Sequence, residues 1–322
     1  ARVGPRLPFA GGWIGSFGYE LRSAEEASPP ARRVPDGFPA LSLARYDAVL
    51  AWEHPSGRAF LAGTGATRRA ARAAIARLRG RLRARPDRAA APSARREAMR
   101  ACVTPVRYRR LVAEVQRRIR RGDLFQANLS QRFEGTTSVP AATLFERVVA
   151  RSPVPFATYL DLGAGRAILS ASPERFLAVR GDRAETRPMK GTRPRGGDPR
   201  ADGRRRRELE TSEKDRAELA MIVDLSRNDL GRVCRPGSVR VATARRLERY
   251  ATVHQAVGVV TGRLAAGRTA LDLVRAAFPP GSVTGAPKVE AMVAIDELEG
   301  EGRGPYCGAI GWLDEGGDLD LA

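Results

Sequence analysis

The chain has 322 residues, 43% of them hydrophobic, which is enough for a large core, and no run approaches the roughly 20 apolar residues of a membrane span. The start, Ala1-Arg2-Val3-Gly4-Pro5, has no charged-then-apolar leader pattern, so the sequence reads as a globular, cytoplasmic protein. The net charge of +20 is carried by arginines spread along the whole chain, and the dense runs at 79–85 and 204–207 lack the interleaved aromatics of a nucleic-acid stacking platform.

The opening segment, Phe9 to Glu20, is glycine-rich and apolar, which suits strands with close backbone approach. Residues 46–52 and 58–62 read as paired strands, an Ala/Arg helix follows over about 67–84, and a Pro/Ala-rich linker covers 85–98. Thr104-Pro105 offers an N-cap and a first-turn proline for an amphipathic helix that ends at Gly122. Strand-like stretches cover 124–133 and 155–187, with a short helix near 141–150 between them. A helix capped by Ser212 runs to about Asp229, with strands at 238–248 and 253–263 and a helix near 269–277 beyond it. A Gly/Pro loop then leads to a helix from Pro287 to about Glu299, and Tyr306 to Ala322 reads as a hairpin. Strands and helices mix without regular β-α alternation, so the class is α+β.

Two histidines, His54 and His254, exclude a site built on several imidazoles. The three cysteines, Cys102, Cys234 and Cys307, have neither zinc nor redox spacing and read as buried free thiols. A metal here is therefore a hard, oxygen-bound ion such as magnesium. Only three of the 56 basic residues are lysines, and a lysine can do what a guanidinium cannot, namely lose its proton and act as a nucleophile.

Four segments carry candidate chemistry. In Ser172-Pro-Glu-Arg-Phe176 the proline fixes a turn that lets Glu174 project into a cleft as a proton donor, or else lie on the surface. In Arg187-Pro-Met-Lys-Gly-Thr-Arg-Pro194, Lys190 sits on a stiff, open loop, as a nucleophile or as an anion-binding cation. In the helix from Ser212, Asp215 and Glu218 share a face that borders an apolar stripe, suited either to magnesium or to an ion-paired surface. Gly281-Ser-Val-Thr-Gly-Ala-Pro-Lys288 is a small-residue loop entering a helix, suited to an anion, and it lacks the ending of a nucleotide-binding P-loop.

Those segments in this order, with NLSQRF at 128–133, MIVDLSRNDLGRVC at 221–234 and RGPYCGAIG at 303–311, resemble the chorismate-utilising enzymes over nearly the whole chain. The resemblance implies an anthranilate synthase component I-like fold, with two large packed β-sheets and helices outside. Residues 1–98 would form the N-terminal region and 99–322 the chorismate-binding region of one intertwined domain, each incomplete at its outer end. Anthranilate synthases resemble this chain around 188–192 but carry alanine at the position of Lys190, whereas aminodeoxychorismate synthases carry lysine.

The implied reaction is therefore amination of chorismate for 4-aminobenzoate and folate synthesis. Lys190 is its covalent nucleophile, Glu174 its acid and Glu218 a magnesium ligand, with a second ligand after residue 322. Thr192, Ser282, Thr284, Gly285, Ala286, Lys288, Tyr306 and Gly308 are implied near the substrate, and Phe156, Ala157 and Thr158 resemble part of a tryptophan pocket. A separate glutamine amidotransferase subunit is the implied partner and source of ammonia. Gln255 departs from the histidine usual in the family, with His254 the nearest imidazole. The alternatives are anthranilate synthase or another chorismate enzyme, a non-catalytic relative, and a basic nucleic-acid-binding protein.

Overall fold

The computed structural model describes residues 7–24, 29–84 and 98–322. In chain order it has β1 (Gly12–Phe17), β2 (Leu41–Tyr46), β3 (Ala48–Glu53), β4 (Arg58–Gly63), α1 (Arg68–Arg83), β5 (Arg100–Ala101), α2 (Pro105–Arg121), β6 (Gln126–Ala127) and β7 (Phe133–Glu134). Then come α3 (Ala141–Arg151), β8 (Phe156–Gly163), β9 (Arg166–Ser172), β10 (Arg175–Arg180), β11 (Arg183–Arg187), β12 (Met189–Pro194), α4 (Pro199–Thr211) and α5 (Glu213–Gly231). The rest is β13 (Arg240–Arg249), β14 (Val253–Arg263), α6 (Ala270–Ala277), β15 (Gly285–Ala286), α7 (Lys288–Glu299), β16 (Ala309–Asp314) and β17 (Leu319–Leu321).

Nine strands form one antiparallel sheet in the order β12-β14-β11-β10-β17-β16-β1-β2, with β13 on the free edge of β14. Among the described residues the other strands pair off as β3-β4, β5-β7, β6-β15 and β8-β9. The α+β class holds, and where two large packed sheets were expected the described strands form this broad sheet and four two-stranded ladders. β17, the last strand, is hydrogen-bonded on both edges, to β10 and to β16.

The helices form where caps and apolar spacing agree. Thr104 Oγ1 accepts from Arg107 N, Pro105 opens α2, and Gly122 closes it with a left-handed φ of 85°. Ser212 caps α5 through Asp215 N, and Thr269 with Asp272 forms a capping box on α6. α5 buries Leu219, Val223 and Leu230 against the sheet, in one cluster with Leu177 and Val179 of β10, Val260 of β14 and Leu273 of α6. Each such side chain contributes roughly 1.5–3 kcal/mol on leaving water.

Three expectations change. α4 was not anticipated, because Leu209 is its one buried residue and its run of arginines shows no amphipathic period. Within 124–133 only Gln126–Ala127 and Phe133 pair as strand, the rest being irregular. Of the cysteines only Cys234 is buried, Cys102 and Cys307 being partly so. Residues 85–97 of the linker lie outside the described residues. Among the described residues no helix is long and apolar enough to cross a membrane.

Candidate active site

A cleft of about 450 Å³ opens between β9 with the turn after it, the loop at 280–283 and the segment 305–310. Glu174 and Ser282 line one wall, and Tyr306 and Gly308 the other. Pro173 ends β9, and the turn beyond it is held by Ser172 Oγ, which accepts from Glu174 N and donates to Glu174 O, both at 3.3 Å. The Glu174 carboxyl is therefore aimed into the cleft and not along the strand.

There it accepts from Met189 N at 3.3 Å and hydrogen-bonds the Ser282 side chain. Burial pushes this carboxyl up to about 7, and it outweighs the two hydrogen bonds and the nearby Lys190 charge, all of which favour the carboxylate. A carboxylic acid poised near neutrality is suited to protonating a leaving oxygen.

Lys190 reaches the same place from the other side. Its segment is a strand, β12, and not a loop, with a register irregularity between Lys190 and Thr192 where Gly191 adopts a φ of 79°. A Cβ at Gly191 would lie 2.9 Å from Asp215 Cβ and from Leu209 Cδ1, so glycine is what lets α4 and α5 close on this strand. Lys190 Nζ donates to the Ser282 carbonyl at 2.9 Å. Ser282 therefore touches both candidate reacting groups, the amine through its carbonyl and the acid through its side chain.

The remaining sequence-based candidates divide. Tyr306, 56% exposed, and Gly308 line the cleft, and a Cβ on Gly308 would lie 2.1 Å from Phe17 O, so only glycine fits that wall. Thr192 is exposed and faces Gln255, whose Nε2 donates to Thr192 Oγ1 at 3.3 Å. The expectation for Thr284 is corrected: it is fully buried, and its hydroxyl donates to Pro280 O at 3.0 Å, closing the loop on itself. Gly285 and Ala286 are buried in the ladder with Ala127 and Gln126, so they hold the 126–128 segment and do not line the cleft.

Lys288 is corrected as well. Pro287 is the N-cap of α7, and the Lys288 ammonium points into the interior, 2.7 Å from both Asp229 Oδ2 and Ala277 O. Phe156, Ala157 and Thr158 lie on β8, paired with β9, and it is the β9 residues Ile168 to Ser172 that face the cleft.

Glu218 stands one turn after Asp215 on α5, its side chain 34% exposed, with Lys214 Nζ 3.9 Å away. Asp215 is taken by Arg193 at 2.9 Å. Among the described residues no group of three or more His, Cys, Asp and Glu side chains is placed to hold a metal by itself. One open carboxylate still matches magnesium, which retains waters and takes one or two protein carboxylates together with substrate oxygens.

Three features escaped the sequence reading. His254 is 3% exposed, and its Nε2 lies 2.9 Å from Asp202 of α4, so it does not replace the imidazole absent at Gln255. Burial opposes the Asp202 charge, but hydrogen bonds from His254, Gly196 N and Arg195 hold that carboxyl down at about 2. Cys307 sits in the cleft wall at a φ of 62°, and burial pushes its thiol up to about 11, which leaves it un-ionised and a poor nucleophile at neutral pH. Arg303, beside it, is buried among the Glu299 carboxylate and the carbonyls of Asn128 and Val283, the last two from segments far apart in sequence.

Comparison with known proteins bears on what this cleft takes. The family described as chorismate binding enzyme matches residues 2–322. The chain belongs to that family. It is 40% identical over 329 residues to anthranilate synthase component 1 of Streptomyces coelicolor, covering 98% of this chain and 64% of the relative. It is 41% identical over 316 residues to aminodeoxychorismate synthase component 1 of Klebsiella aerogenes, covering 98% of this chain and 68% of the relative. The chain thus spans about two thirds of the length of these relatives. Among solved structures, anthranilate synthase component I of Streptococcus pneumoniae matches all of this chain and 73% of its own, with a TM-score of 0.88 at 30% identity. The fold is therefore that of anthranilate synthase component I.

Proposed function

We propose that this chain is the chorismate-converting component of an aminodeoxychorismate synthase. Overall similarity does not choose between the two reactions, since relatives of both kinds are equally near. The observation that carries the reading is the placement of Lys190, whose amine shares Ser282 with a carboxyl poised at about 7.

In this reading Lys190 Nζ, as the free amine, attacks C2 of the chorismate ring, both ring double bonds shift, and the 4-hydroxyl leaves as water with the proton of Glu174. Ammonia then attacks C4, both double bonds shift back, and the C2–N bond to Lys190 breaks, giving 4-amino-4-deoxychorismate. The lysine thereby blocks C2 and directs nitrogen to C4. In this reading Tyr306 and the main chain at Gly308, which line the cleft, hold the substrate's carboxylate side. Glu218 would hold magnesium, which supplies positive charge for that carboxylate when bound. A glutamine amidotransferase would supply the ammonia in the cytoplasm, and the product would feed 4-aminobenzoate and folate synthesis.

The test is mass spectrometry after incubation with chorismate and magnesium but without ammonia. The expected result is an adduct of chorismate less one water on Lys190, discharged by ammonia and absent from Lys190→Ala. Anthranilate formation with no adduct would place the protein with the other near relative.

A further inference from the structure

Arg303 follows α7 by four residues, and its side chain is only 3% exposed. Its Nη2 donates to Glu299 Oε1 at 2.7 Å and to the Asn128 carbonyl at 2.6 Å. Its Nε donates to Glu299 Oε2 at 2.9 Å, and its Nη1 to the Val283 carbonyl at 3.0 Å, with Cys307 Sγ 3.3 Å from the same nitrogen. The guanidinium carbon lies 5.0 Å from the centre of the Tyr19 ring and 5.8 Å from that of Tyr306. The main chain here is fixed as well: Arg303 N and Gly304 N donate to Glu20 Oε1 and Oε2 at 2.7 and 2.9 Å.

A buried guanidinium is costly unless its donors are satisfied and its charge is met, and here Glu299 meets it. What the arrangement achieves is a fixed place for Val283. The preceding residue, Ser282, is the one whose carbonyl holds Lys190 Nζ and whose side chain bonds Glu174. On its other side Arg303 holds Tyr306 and Cys307, which form the facing wall of the cleft. Both walls therefore take their separation from one side chain that does not itself line the cleft.

We infer that Arg303 is a positioning residue, which sets the Lys190 amine and the Glu174 carboxyl through the main chain at 282–283. A planar fork bonded at once to Val283 and Asn128 cannot be replaced by the point charge of a lysine, so Arg303→Lys lets this loop shift. The inference rests on the reading of Lys190 and Glu174 as the reacting pair. Its geometry, however, is measurable without any reaction.

The natural chain has three lysines in three settings: Lys190 bonded to Ser282, Lys214 with 83% of its side chain exposed, and Lys288 paired with Asp229 in the interior. Reductive methylation with formaldehyde and cyanoborohydride, resolved peptide by peptide in the mass spectrometer, reports on each separately. In Arg303→Lys, Lys190 is expected to label severalfold faster than in the unaltered protein, with Lys214 unchanged and Lys288 still protected. The rate of chorismate conversion is expected to fall by roughly 10²-fold in kcat, with little change in KM, as for a displaced reacting group.

Unchanged Lys190 labelling in a protein whose Lys288 stays protected overturns the inference. Should Lys288 label as fast as Lys214, the variant is unfolded and Glu299→Gln takes its place. That variant removes the carboxylate that aims the guanidinium while leaving Arg303 present, so faster Lys190 labelling is again expected and its absence overturns the inference. If the product proves to be anthranilate, the labelling still decides the positioning role, and only the identity of the reaction falls.

Discussion

Glu174 is where burial becomes chemistry. Its carboxyl rises from the ordinary 4.5 to about 7, so near neutral pH a sizeable fraction is the acid that can donate a proton. kcat/KM should fall as pH rises through about 7, and Glu174→Gln should lower kcat by roughly 10²–10⁴-fold and remove that limb. The same shift has a stability sign. A group whose folded pKa is raised contributes stability that is complete below its unfolded value and lost as pH rises through the folded one. Urea unfolding at pH 5 and pH 8 should therefore show the protein losing stability relative to Glu174→Gln across the window from 4.5 to about 7. A stability difference that is the same at both pH values would remove Glu174 as the buried acid.

At the scale of elements, Lys288 at the head of α7 and Asp229 near the end of α5 join two helices through a pair at 2.7 Å whose side chains are 12% and 11% exposed. Burial lowers the Lys288 ammonium and raises the Asp229 carboxyl, and each partner's charge opposes the effect on the other. Removing one charge leaves the other uncompensated, so Lys288→Met should cost about 3–5 kcal/mol in chemical denaturation, and Lys288→Met with Asp229→Leu should regain most of it. If the double variant is stable yet no longer binds chorismate, Lys288 does touch the substrate and the structural assignment fails.

This pair also shows what the sequence could and could not disclose. The capped helices were legible because cap and period are local: Thr104 with Pro105, Ser212 and Thr269 each stand next to the helix they start. Asp198 caps α4 in the same way, through Ala201 N, but with only Leu209 buried no apolar period drew attention to it. Glu174 and Lys190 were legible as residue types in rigid segments, whereas their meeting at Ser282 was not, since it depends on a loop about 90 residues further on. Lys288 was assigned to an anion site because its partner is 59 residues away, a distance no local pattern spans.

The whole molecule turns on β17. β17 joins the half of the sheet built from β10, β11, β12, β13 and β14 to the half built from β16, β1 and β2, which brings strands from either side of residue 98 into one sheet. Leu321 is 2% exposed, faces Leu177 of β10 on one edge and Gly311 of β16 on the other, and shares the core with Leu177. The cleft crosses the same seam, with Glu174 on the β10 side and Gly308 to Ile310 on the β16 side, and Ala322 between them. Because Leu321 packs where β17 pairs with both β10 and β16, a cavity here should loosen one half before the other rather than the sheet as a whole. Leu321→Ala is expected to lower stability by about 2–5 kcal/mol. Its native-state hydrogen exchange should show protection falling first in β1, β2 and β16, while β14, paired on both edges within its own half, keeps its protection. Equal loss of protection in β14 and β16 would mean that the sheet opens as one unit and that the seam is not its weakest line.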